Sequence, residues 1–290
     1  MSFDTKYAVI TPIRDEEAYL KLMVESIICQ TIRPIEFILV NDGSKDQTGK
    51  IIDEYCSEYP WIRAVHRTDR GFRKVGGGII EAFYAGFHAL AHDDWEFLSK
   101  MDGDLSFEPD YFERCFERFQ RDPRLGIGGG YLYHVQDGVR KLEVNPSFHV
   151  RGGNKIYRRA CWETIGGLWV GPGSDTIDDV KANMLGWSTH SFPELLVHHH
   201  RVTGSAYGIW GAAVKDGRAD YVSGYHPLFM LAKCCARLFR KPFIVGSVGL
   251  LWGYVKSLLK STPRVDDRQV IDYLRQQQLA RLLRRETIWK

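Results

Sequence analysis

Two aspartates one residue apart, Asp102 and Asp104, have the types and spacing that most plainly indicate chemistry. They follow an apolar stretch, residues 95–101, that is typical of a buried strand. Mg²⁺ or Mn²⁺ takes oxygen ligands and binds through one or two carboxylates together with substrate phosphate oxygens. The pair therefore indicates a site for a metal-bound diphosphate. Taken alone, the same pair is also typical of turn or capping residues.

A second acidic pair, Asp178 and Asp179, follows the Gly/Pro-rich residues 166–173, which suit a mobile cover over an active site. A carboxylate here could act as a general base if it stays ionised near an acceptor hydroxyl. Because a short helix is predicted over residues 180–187, the pair could equally offset the dipole at the start of that helix.

Three consecutive histidines, His198, His199 and His200, follow another predicted strand end. Alternate residues of an extended segment share a face, so His198 and His200 cannot both be buried together with His199. One imidazole is therefore able to face the metal, while the other interpretation is a structural or solvent-facing triplet.

Further polar groups lie after the predicted strands. Asp42, in the turn at residues 41–44, can accept a hydrogen bond from a base or ribose, although such residues also form ordinary turns. The glycines at 76–78 precede a predicted helix and form either a hinge or a backbone nest for phosphate, with Arg73 and Lys74 as charge partners. No Gly-Lys-Ser/Thr follows them, which excludes a Walker A loop.

Strands and helices alternate over the first hundred residues. We predict strands at 7–11, 35–40, 62–65 and 95–101, and helices at 18–30, 48–59 and 78–92. This order predicts an α/β fold with a mainly parallel sheet, flanked by helices, that binds ligand at the carboxyl ends of its strands. Pro12, Asp42 and Asp102 lie at such ends.

Composition limits the class of protein. The chain has 290 residues, of which 44% are hydrophobic and 26% charged, as expected for a globular α/β domain with an appendage rather than a disordered chain. Its six cysteines show no C-x-x-C spacing, and no secretory leader pattern precedes Tyr7. We therefore expect neither a disulfide framework nor a zinc site, and a location on the reducing, cytoplasmic side.

The charge is divided unevenly. Residues 1–204 hold 24 Lys+Arg against 30 Asp+Glu, whereas residues 205–290 hold 15 against 6. We expect a catalytic domain over 1–204 and a basic, helical C-terminal region over 205–290. Within the latter, residues 242–255 form a run of 14 uncharged residues between basic flanks. This run is too short to span a bilayer but suits interfacial attachment to anionic membrane rather than binding to nucleic acid, and the alternative is a buried hairpin.

Five motifs occur in order: Thr11–Glu17, Ser26–Thr31, Glu36–Thr48, Asp102–Asp104 and Asp178–Asp179. Over about residues 5–203, they resemble the inverting glycosyltransferases of family 2, which have the GT-A fold. The resemblance implies transfer of a sugar from a nucleoside diphosphate sugar with inversion at the anomeric carbon.

The resemblance also implies a role for individual residues. Pro12, Glu16 and Asp42 would line the base and ribose pocket. Asp102 and Asp104 would hold the diphosphate and a Mg²⁺ or Mn²⁺ ion, with His200 as a further metal contact. Asp179 would be the base that takes the proton of the acceptor hydroxyl, and Arg73 or Lys74 would help to stabilise the leaving diphosphate.

Three positions depart from the family pattern. Asp15 replaces the usual Asn, Asn41 replaces the first Asp of Asp-Asp-Gly-Ser, and Asp178 replaces the Glu of the Glu-Asp pair, so either Asp178 or Asp179 can be the catalytic residue. The helix motif of processive members lacks its Trp, since Leu282 follows Arg281. We therefore expect single additions to a glycan or lipid-linked acceptor, in polysaccharide or glycolipid assembly at the cytoplasmic face of a membrane.

Two other classes remain as alternatives. Haloacid-dehalogenase-like phosphatases also place D-x-D after an apolar strand and use its first Asp as a nucleophile, but here about 100 residues of sheet precede the motif and Lys100 interrupts the apolar approach. A non-catalytic carbohydrate- or lipid-binding adaptor would leave both acidic pairs unexplained.

Overall fold

The computed structural model of the chain describes residues 5–72, 77–201, 208–239 and 243–289. Within these residues the chain forms nine strands and ten helices. The strands are β1 Tyr7–Ile13, β2 Glu36–Asn41, β3 Ile62–His66, β4 Phe97–Met101, β5 Leu105–Ser106, β6 Leu125–Gln136, β7 Val139–Leu142, β8 Asn154–Arg158 and β9 Ser188–His199. The helices are α1 Leu20–Ile28, α2 Thr48–Glu58, α3 Gly78–Phe87, α4 Tyr111–Arg121, α5 Arg159–Ile165, α6 Ser174–Met184, α7 Gly208–Val222, α8 Pro227–Arg237, α9 Phe243–Leu259 and α10 Arg268–Leu282.

The strands form one sheet in the order β3-β2-β1-β4-β8-β6-β9-β5, with β7 paired to β6. The first four strands in this order are parallel to one another, as the alternation of strands and helices predicts. The remainder is mixed: β8 is antiparallel to β4 and β6, and β6 is parallel to β9. The prediction of a mainly parallel sheet is therefore wrong beyond β4, because β8 enters the sheet from the opposite direction.

Both faces of the parallel part are buried, since its strands are apolar throughout. In β1, Val9 packs into the core on one face, and Ala8 and Ile10 pack into the core on the other. This alternation is the period of two expected of a strand covered by helices on both sides. The buried strands hold the sheet edge at which β1, β2 and β4 end.

The four C-terminal helices, α7 to α10, share a hydrophobic core with α6. Ile177 and Val180 of α6 lie in one buried cluster with Tyr221, Leu250 and Leu274. Helices α7 to α10 are therefore packed on the α/β part of the chain, and they contribute to the lining of the cavity described below.

Glycines allow α7 and α9 to approach closely. A Cβ added at Gly217 of α7 would lie 1.9 Å from the carbonyl oxygen of Leu250, and one added at Gly253 of α9 would lie 2.1 Å from that of Val214. Side chains larger than hydrogen cannot occupy such positions without moving the backbone. The small residues of the apolar run thus determine how the two helices pack.

The predicted 14-residue apolar run lies mostly in α9, and its two faces differ. Leu250 and Tyr254 are buried, whereas Ile244, Val248 and Trp252 are exposed. The buried face agrees with packing on the rest of the chain, and attachment of the exposed face to a membrane stays a prediction. Among the described residues, every helix is too short or too polar to cross a bilayer.

Candidate active site

A cavity of about 1270 Å³ lies at the carboxyl ends of β1, β2 and β4. Pro12, Asp42 and Asp102, each at the end of a strand, all line it, as do Glu16 and Asp104. Residues of α7, α8 and the chain around the end of α10 also line it. The fold therefore brings most of the candidate residues predicted from the sequence to one place.

The backbone and a buried lysine fix Asp102 at the end of β4. Its N–H donates to the carbonyl oxygen of Gly153 at 2.8 Å, and its Oδ1 accepts from Lys100 Nζ at 3.1 Å. A Cβ at Gly153 would lie 2.2 Å from Asp102 Oδ2, so the carboxylate needs a glycine beside it. The Asp102 side chain keeps 34% of its surface exposed, and Oδ2 is not engaged by the lysine.

His199 lies beside Asp104. Its Nε2 lies 3.4 Å from Asp104 Oδ2, and its Nδ1 lies 2.9 Å from Glu143 Oε1. Burial would lower the pKa of His199, but hydrogen bonds to Asp104 and Glu143 outweigh it and raise the pKa to about 9. An imidazolium beside Asp104 is therefore the state expected near neutral pH.

His200, the predicted metal contact, faces elsewhere. Its Nε2 lies 2.9 Å from Ser106 Oγ, and its ring stacks on Tyr19 with a centroid distance of 5.7 Å. Its side chain is outside the cavity lining, whereas that of His199 belongs to it. The alternation along β9 thus selects His199 as the histidine that faces Asp104.

The edge of the cavity around Asp102 and Asp104 offers part of what Mg²⁺ or Mn²⁺ needs. Asp102 and Asp104 supply hard carboxylate oxygens, one of them Oδ2 of the partly exposed Asp102. Among the described residues, no group of three or more His, Cys, Asp and Glu side chains is placed to hold a metal by itself. The two carboxylates fit an ion that takes its remaining ligands from a diphosphate and water, which is how Mg²⁺ is commonly bound.

The candidate nucleotide pocket is already rich in ion pairs. Arg67 and Arg70 each donate to one oxygen of Asp42, whose carbonyl oxygen also accepts from Arg14 at 2.8 Å. Across the strand ends, Glu16 is paired with Arg201. A nucleotide that used Asp42 as an acceptor would therefore compete with two guanidinium groups.

Arg73 and Lys74, predicted as charge partners of the diphosphate, lie outside the described residues. Two other cations stand close to the aspartates of the triplet: Lys100 beside Asp102, and Arg201, whose Nε lies 3.9 Å from Asp104 Oδ2. Both line the cavity. They are available to attract a diphosphate that enters it.

The second acidic pair lies inside α6. This helix begins at Ser174 rather than at the predicted residue 180, so Asp178 and Asp179 are in its interior instead of at its start. Lys155 Nζ donates to Asp178 Oδ1 at 2.7 Å and to Asp179 Oδ1 at 2.9 Å, and Tyr157 OH donates to Asp178 Oδ2 at 2.6 Å. The three charged residues form a buried cluster.

Asp179 is fully buried. Its Oδ2 lies 3.0 Å from His149 Nδ1 and accepts from the N–H of Val150 at 3.0 Å. Asp178 lines the cavity, but Asp179 lies beneath its surface. Burial raises the pKa of Asp178, against the lowering by Lys155, and the charge on Asp179 adds to the rise. In this conformation an acceptor hydroxyl would not reach Asp179.

Asp175, one helical turn before Asp178, is the carboxylate of α6 that is partly exposed to the cavity. Burial alone would raise its pKa, but His149, Lys155 and Arg151 outweigh it, and the pKa of Asp175 lies below its ordinary value. This carboxylate therefore remains ionised at neutral pH. It was not among the candidates predicted from the sequence, although a carboxylate three residues before Asp178 falls on the same side of a helix.

Sequence comparison identifies the family. Residues 8–170 match the model of Glycosyl transferase family 2, and the chain belongs to this family. A similar curated protein is glycosyltransferase GlyA of Streptococcus pneumoniae, which is 30% identical over 145 residues. That match covers 48% of this chain but only 19% of GlyA.

Solved structures show the same fold. The mannosyltransferase PcManGT from Pyrobaculum calidifontis, in complex with GDP-Man and Mn²⁺, aligns with a TM-score of 0.61 at 15% identity, over 89% of this chain and 88% of that one. S. aureus TarS 1–349 in complex with UDP-GlcNAc aligns with a TM-score of 0.54 at 15% identity, over 93% and 80%. The mixed α/β architecture is thus a GT-A fold, as the motifs predict.

Proposed function

We propose that the protein is a metal-dependent inverting glycosyltransferase that moves a sugar from a nucleoside diphosphate sugar to a hydroxyl of a glycan or lipid-linked acceptor. The observation that carries the proposal is one cavity lined by Asp102 and Asp104 at a sheet edge and by the ionised Asp175 of α6. Family membership and the nucleotide-sugar and Mn²⁺ complex of PcManGT support it.

On the donor side, Asp102 and Asp104 would hold Mg²⁺ or Mn²⁺, which supplies Lewis-acid stabilisation of the leaving diphosphate. Arg201 and Lys100 would offset the negative charge that develops on the diphosphate, because both lie next to the two aspartates. Pro12, Glu16 and Asp42 stay predicted contacts of the base and ribose.

On the acceptor side, inversion requires one in-line attack, and the attacking hydroxyl must lose its proton as it attacks. A base has to be ionised and within hydrogen-bond reach of that hydroxyl. The partial exposure of Asp175 to the cavity would let a hydroxyl approach it, and attraction to His149, Lys155 and Arg151 holds its pKa below the ordinary value. We assign proton removal to Asp175, and the role of Asp179 implied by the family resemblance stays a prediction.

Three variants separate these roles. Asp175→Asn should lower turnover by about three orders of magnitude or more while donor binding persists, because a base acts in the transition state. Asp178→Asn and Asp179→Asn should mainly lower the free energy of unfolding and change the turnover of the folded protein much less. Single-turnover transfer and nucleotide binding would be measured for each, and a turnover loss confined to folded Asp179→Asn would refute the assignment to Asp175.

Identification of the products tests the reaction class. Donors based on UDP, GDP and dTDP would first be screened for Mn²⁺-dependent thermal stabilisation of the protein, and the best donor would then be assayed for release. A transferase yields a nucleoside diphosphate, a phosphatase yields inorganic phosphate, and an adaptor yields neither. Full activity in EDTA would exclude the metal-dependent mechanism.

We also propose that the protein is peripheral on the cytoplasmic face of an anionic membrane. Ile244 and Trp252 expose 65% and 49% of their surface on α9, within a region of strong basic excess. Apolar burial and attraction of basic residues to anionic lipid act together at such surfaces.

The double variant Ile244→Gln/Trp252→Gln should bind anionic liposomes about tenfold more weakly, given the partial exposure of both side chains. Leu22→Gln on α1, where an apolar side chain is 45% exposed, is the matched control. A wild-type protein that does not sediment with liposomes even at low salt would remove the membrane proposal and leave the transferase proposal intact.

A further inference from the structure

The part of the cavity lining that the C-terminal region contributes, called the arginine wall below, is strongly basic. Six Lys and Arg side chains of the C-terminal helices line it, against two acidic ones, Asp216 and Asp220. The six are Lys215, Arg218, Lys233, Arg237, Arg281 and Arg284. The mechanism proposed above uses none of them.

Three of these arginines form no salt bridge among the described residues, although Arg237 is near enough to Asp216 to oppose the rise that burial causes in the pKa of that carboxyl. Lys233 is neutralised by Asp220, with Nζ 2.7 Å from Oδ2, and Arg281 donates to the carbonyl oxygen of Trp289 at 2.6 Å. Arg218, Arg237 and Arg284 form no comparable contact with the described residues. Guanidinium groups that lack a partner beside a cavity are suited to bind an anion, because their donors match phosphate and carboxylate oxygens in pairs.

The backbone of Arg284 supports a role in binding. Its φ of 56° lies in the left-handed region, just after α10, where glycine is the favoured residue. A non-glycine residue costs more free energy than glycine in this conformation. Residues strained in this way are concentrated at functional sites. The guanidinium of Arg284 reaches the cavity from that position.

Aromatic rings flank the arginines. Trp289 packs on Phe229 and Phe148 with centroid distances of 5.6 and 4.9 Å, and all three line the cavity together with Tyr225. Binding sites for organic ligands combine such apolar surfaces with a few charged groups. The wall therefore offers packing surface as well as positive charge.

The two walls differ in how their charges are paired. On the donor wall, Asp42, Glu16 and Asp102 are each paired with a cation. Arg218, Arg237 and Arg284 form no such ion pair among the described residues, so the arginine wall would attract an anion more strongly. A second anionic ligand would thus bind on the C-terminal side while a metal-bound diphosphate occupies the first. Asp175 lies in the same cavity, where a hydroxyl of that ligand could reach it.

We propose that Arg218, Arg237 and Arg284 form an acceptor subsite for a phosphate or diphosphate group, so that the acceptor of the transferase is a phosphate-bearing molecule. This rests on the proposed function, which it deepens by specifying the acceptor. The phosphate contributes to binding of the acceptor and takes no part in the reaction. It can belong to a lipid phosphate headgroup or to a phosphorylated sugar.

The test measures phosphate binding directly. Farnesyl phosphate and glucose 1-phosphate would each be titrated by calorimetry into the full-length protein, with Mn²⁺ and the most stabilising nucleoside diphosphate at saturation. Arg237→Gln removes one guanidinium. Arg284→Gly removes another and places a glycine where the backbone is left-handed, so the folded state should tolerate the change, and thermal unfolding of the variant checks this.

Arg268→Gln is the matched control, because Arg268 lies on α10 with its side chain 93% exposed and outside the cavity lining. Arg237→Gln and Arg284→Gly should each weaken binding of at least one probe about tenfold or more, as expected for a lost charge-assisted hydrogen bond, and the control should not. Loss for farnesyl phosphate alone indicates a lipid headgroup, and loss for glucose 1-phosphate indicates a phosphorylated sugar.

The proposal is overturned if the wild-type protein binds neither probe, if both arginine variants bind as tightly as wild type, or if the control weakens binding as much. Failure of the proposed function gives a different result, namely no metal-dependent nucleotide binding and no nucleotide release. The two can therefore fail separately.

Discussion

The two aspartate pairs of this protein look alike in sequence but lie in opposite environments. Asp102 and Asp104 stand at the carboxyl end of a strand and line the cavity, and the Asp102 side chain is 34% exposed. Asp178 and Asp179 lie in the body of α6, where their side chains are at most 1% exposed and share Lys155. The spacing of two aspartates in the sequence does not show whether they can bind a ligand or only stabilise the fold.

The cations beside each pair explain the difference. Lys155 is itself 1% exposed, and the attraction of Asp178 and Asp179 raises its pKa although burial would lower it. Each of these buried charges stabilises the others, because removal of one leaves its partners desolvated without a compensating ion pair. Lys100, itself only 4% exposed, and His199 hold the first pair, but the Asp102 side chain keeps 34% of its surface exposed in the cavity, where a diphosphate or metal could bind.

The largest effect is expected on removing the buried cation. Lys155→Met should lower the free energy of unfolding by about 3–5 kcal/mol, since two carboxylates would remain buried without their partner. Lys100→Met should cost less, about 1–2 kcal/mol, because its partner Asp102 is 34% exposed and water can solvate that carboxylate once the lysine is removed. Urea unfolding of both variants measures this, and equal losses would remove the contrast between the pairs.

A smaller effect is expected on nucleotide binding when Asp102 is displaced. In Gly153→Ala the added methyl would lie 2.2 Å from Asp102 Oδ2, so the carboxylate must shift. Metal-dependent nucleotide binding should weaken by about tenfold, a size typical of one displaced charge-assisted contact. Gly103→Ala is the control, because its nearest neighbour, Ile13, is 3.4 Å away. Equal affinities for the two variants would argue against Asp102 as a ligand.

The smallest effect concerns one hydrogen bond to the buried pair. Tyr157→Phe removes the donor 2.6 Å from Asp178 Oδ2 and leaves the ring packing in place. We expect a loss of about 1–3 kcal/mol in the free energy of unfolding, with unchanged nucleotide affinity. Differential scanning calorimetry and a nucleotide titration would report the two quantities, and a selective loss of nucleotide affinity would indicate that Asp178 contacts the donor.

Local patterns in the sequence predict the four parallel strands and the polar residues at their carboxyl ends, because apolar runs and turn residues fix them within a few residues. The sequence does not predict which strands pair when they are far apart along the chain. Nothing near Lys155 indicates that β8 will lie antiparallel to β4 and carry its side chain beneath α6. The same limit applies to the arginines of α7 and α8, whose approach to the cavity depends on how those helices pack.

The histidines and α6 show a finer limit. The period-two alternation of a strand predicts that only some of the three imidazoles face inward. It does not predict that His199 rather than His200 does so, because the register of β9 against β5 decides this. The predicted helix begins six residues after the observed start of α6. The first turn of α6 is polar and follows Gly173, whose φ is 80°, and such a sequence is typical of a loop. That displacement concealed Asp175 as a candidate.

The most direct test is the Mn²⁺-dependent binding of a nucleoside diphosphate to variants of both pairs. Asp102→Asn and Asp104→Asn should each weaken binding by about tenfold or more and make it less dependent on Mn²⁺, because each replaces an anionic ligand of the metal. Asp179→Asn, if folded under the conditions of the titration, should bind as tightly as wild type. Undiminished Mn²⁺-dependent affinity in both variants of the first pair, with loss in Asp179→Asn, would contradict the division of roles between them.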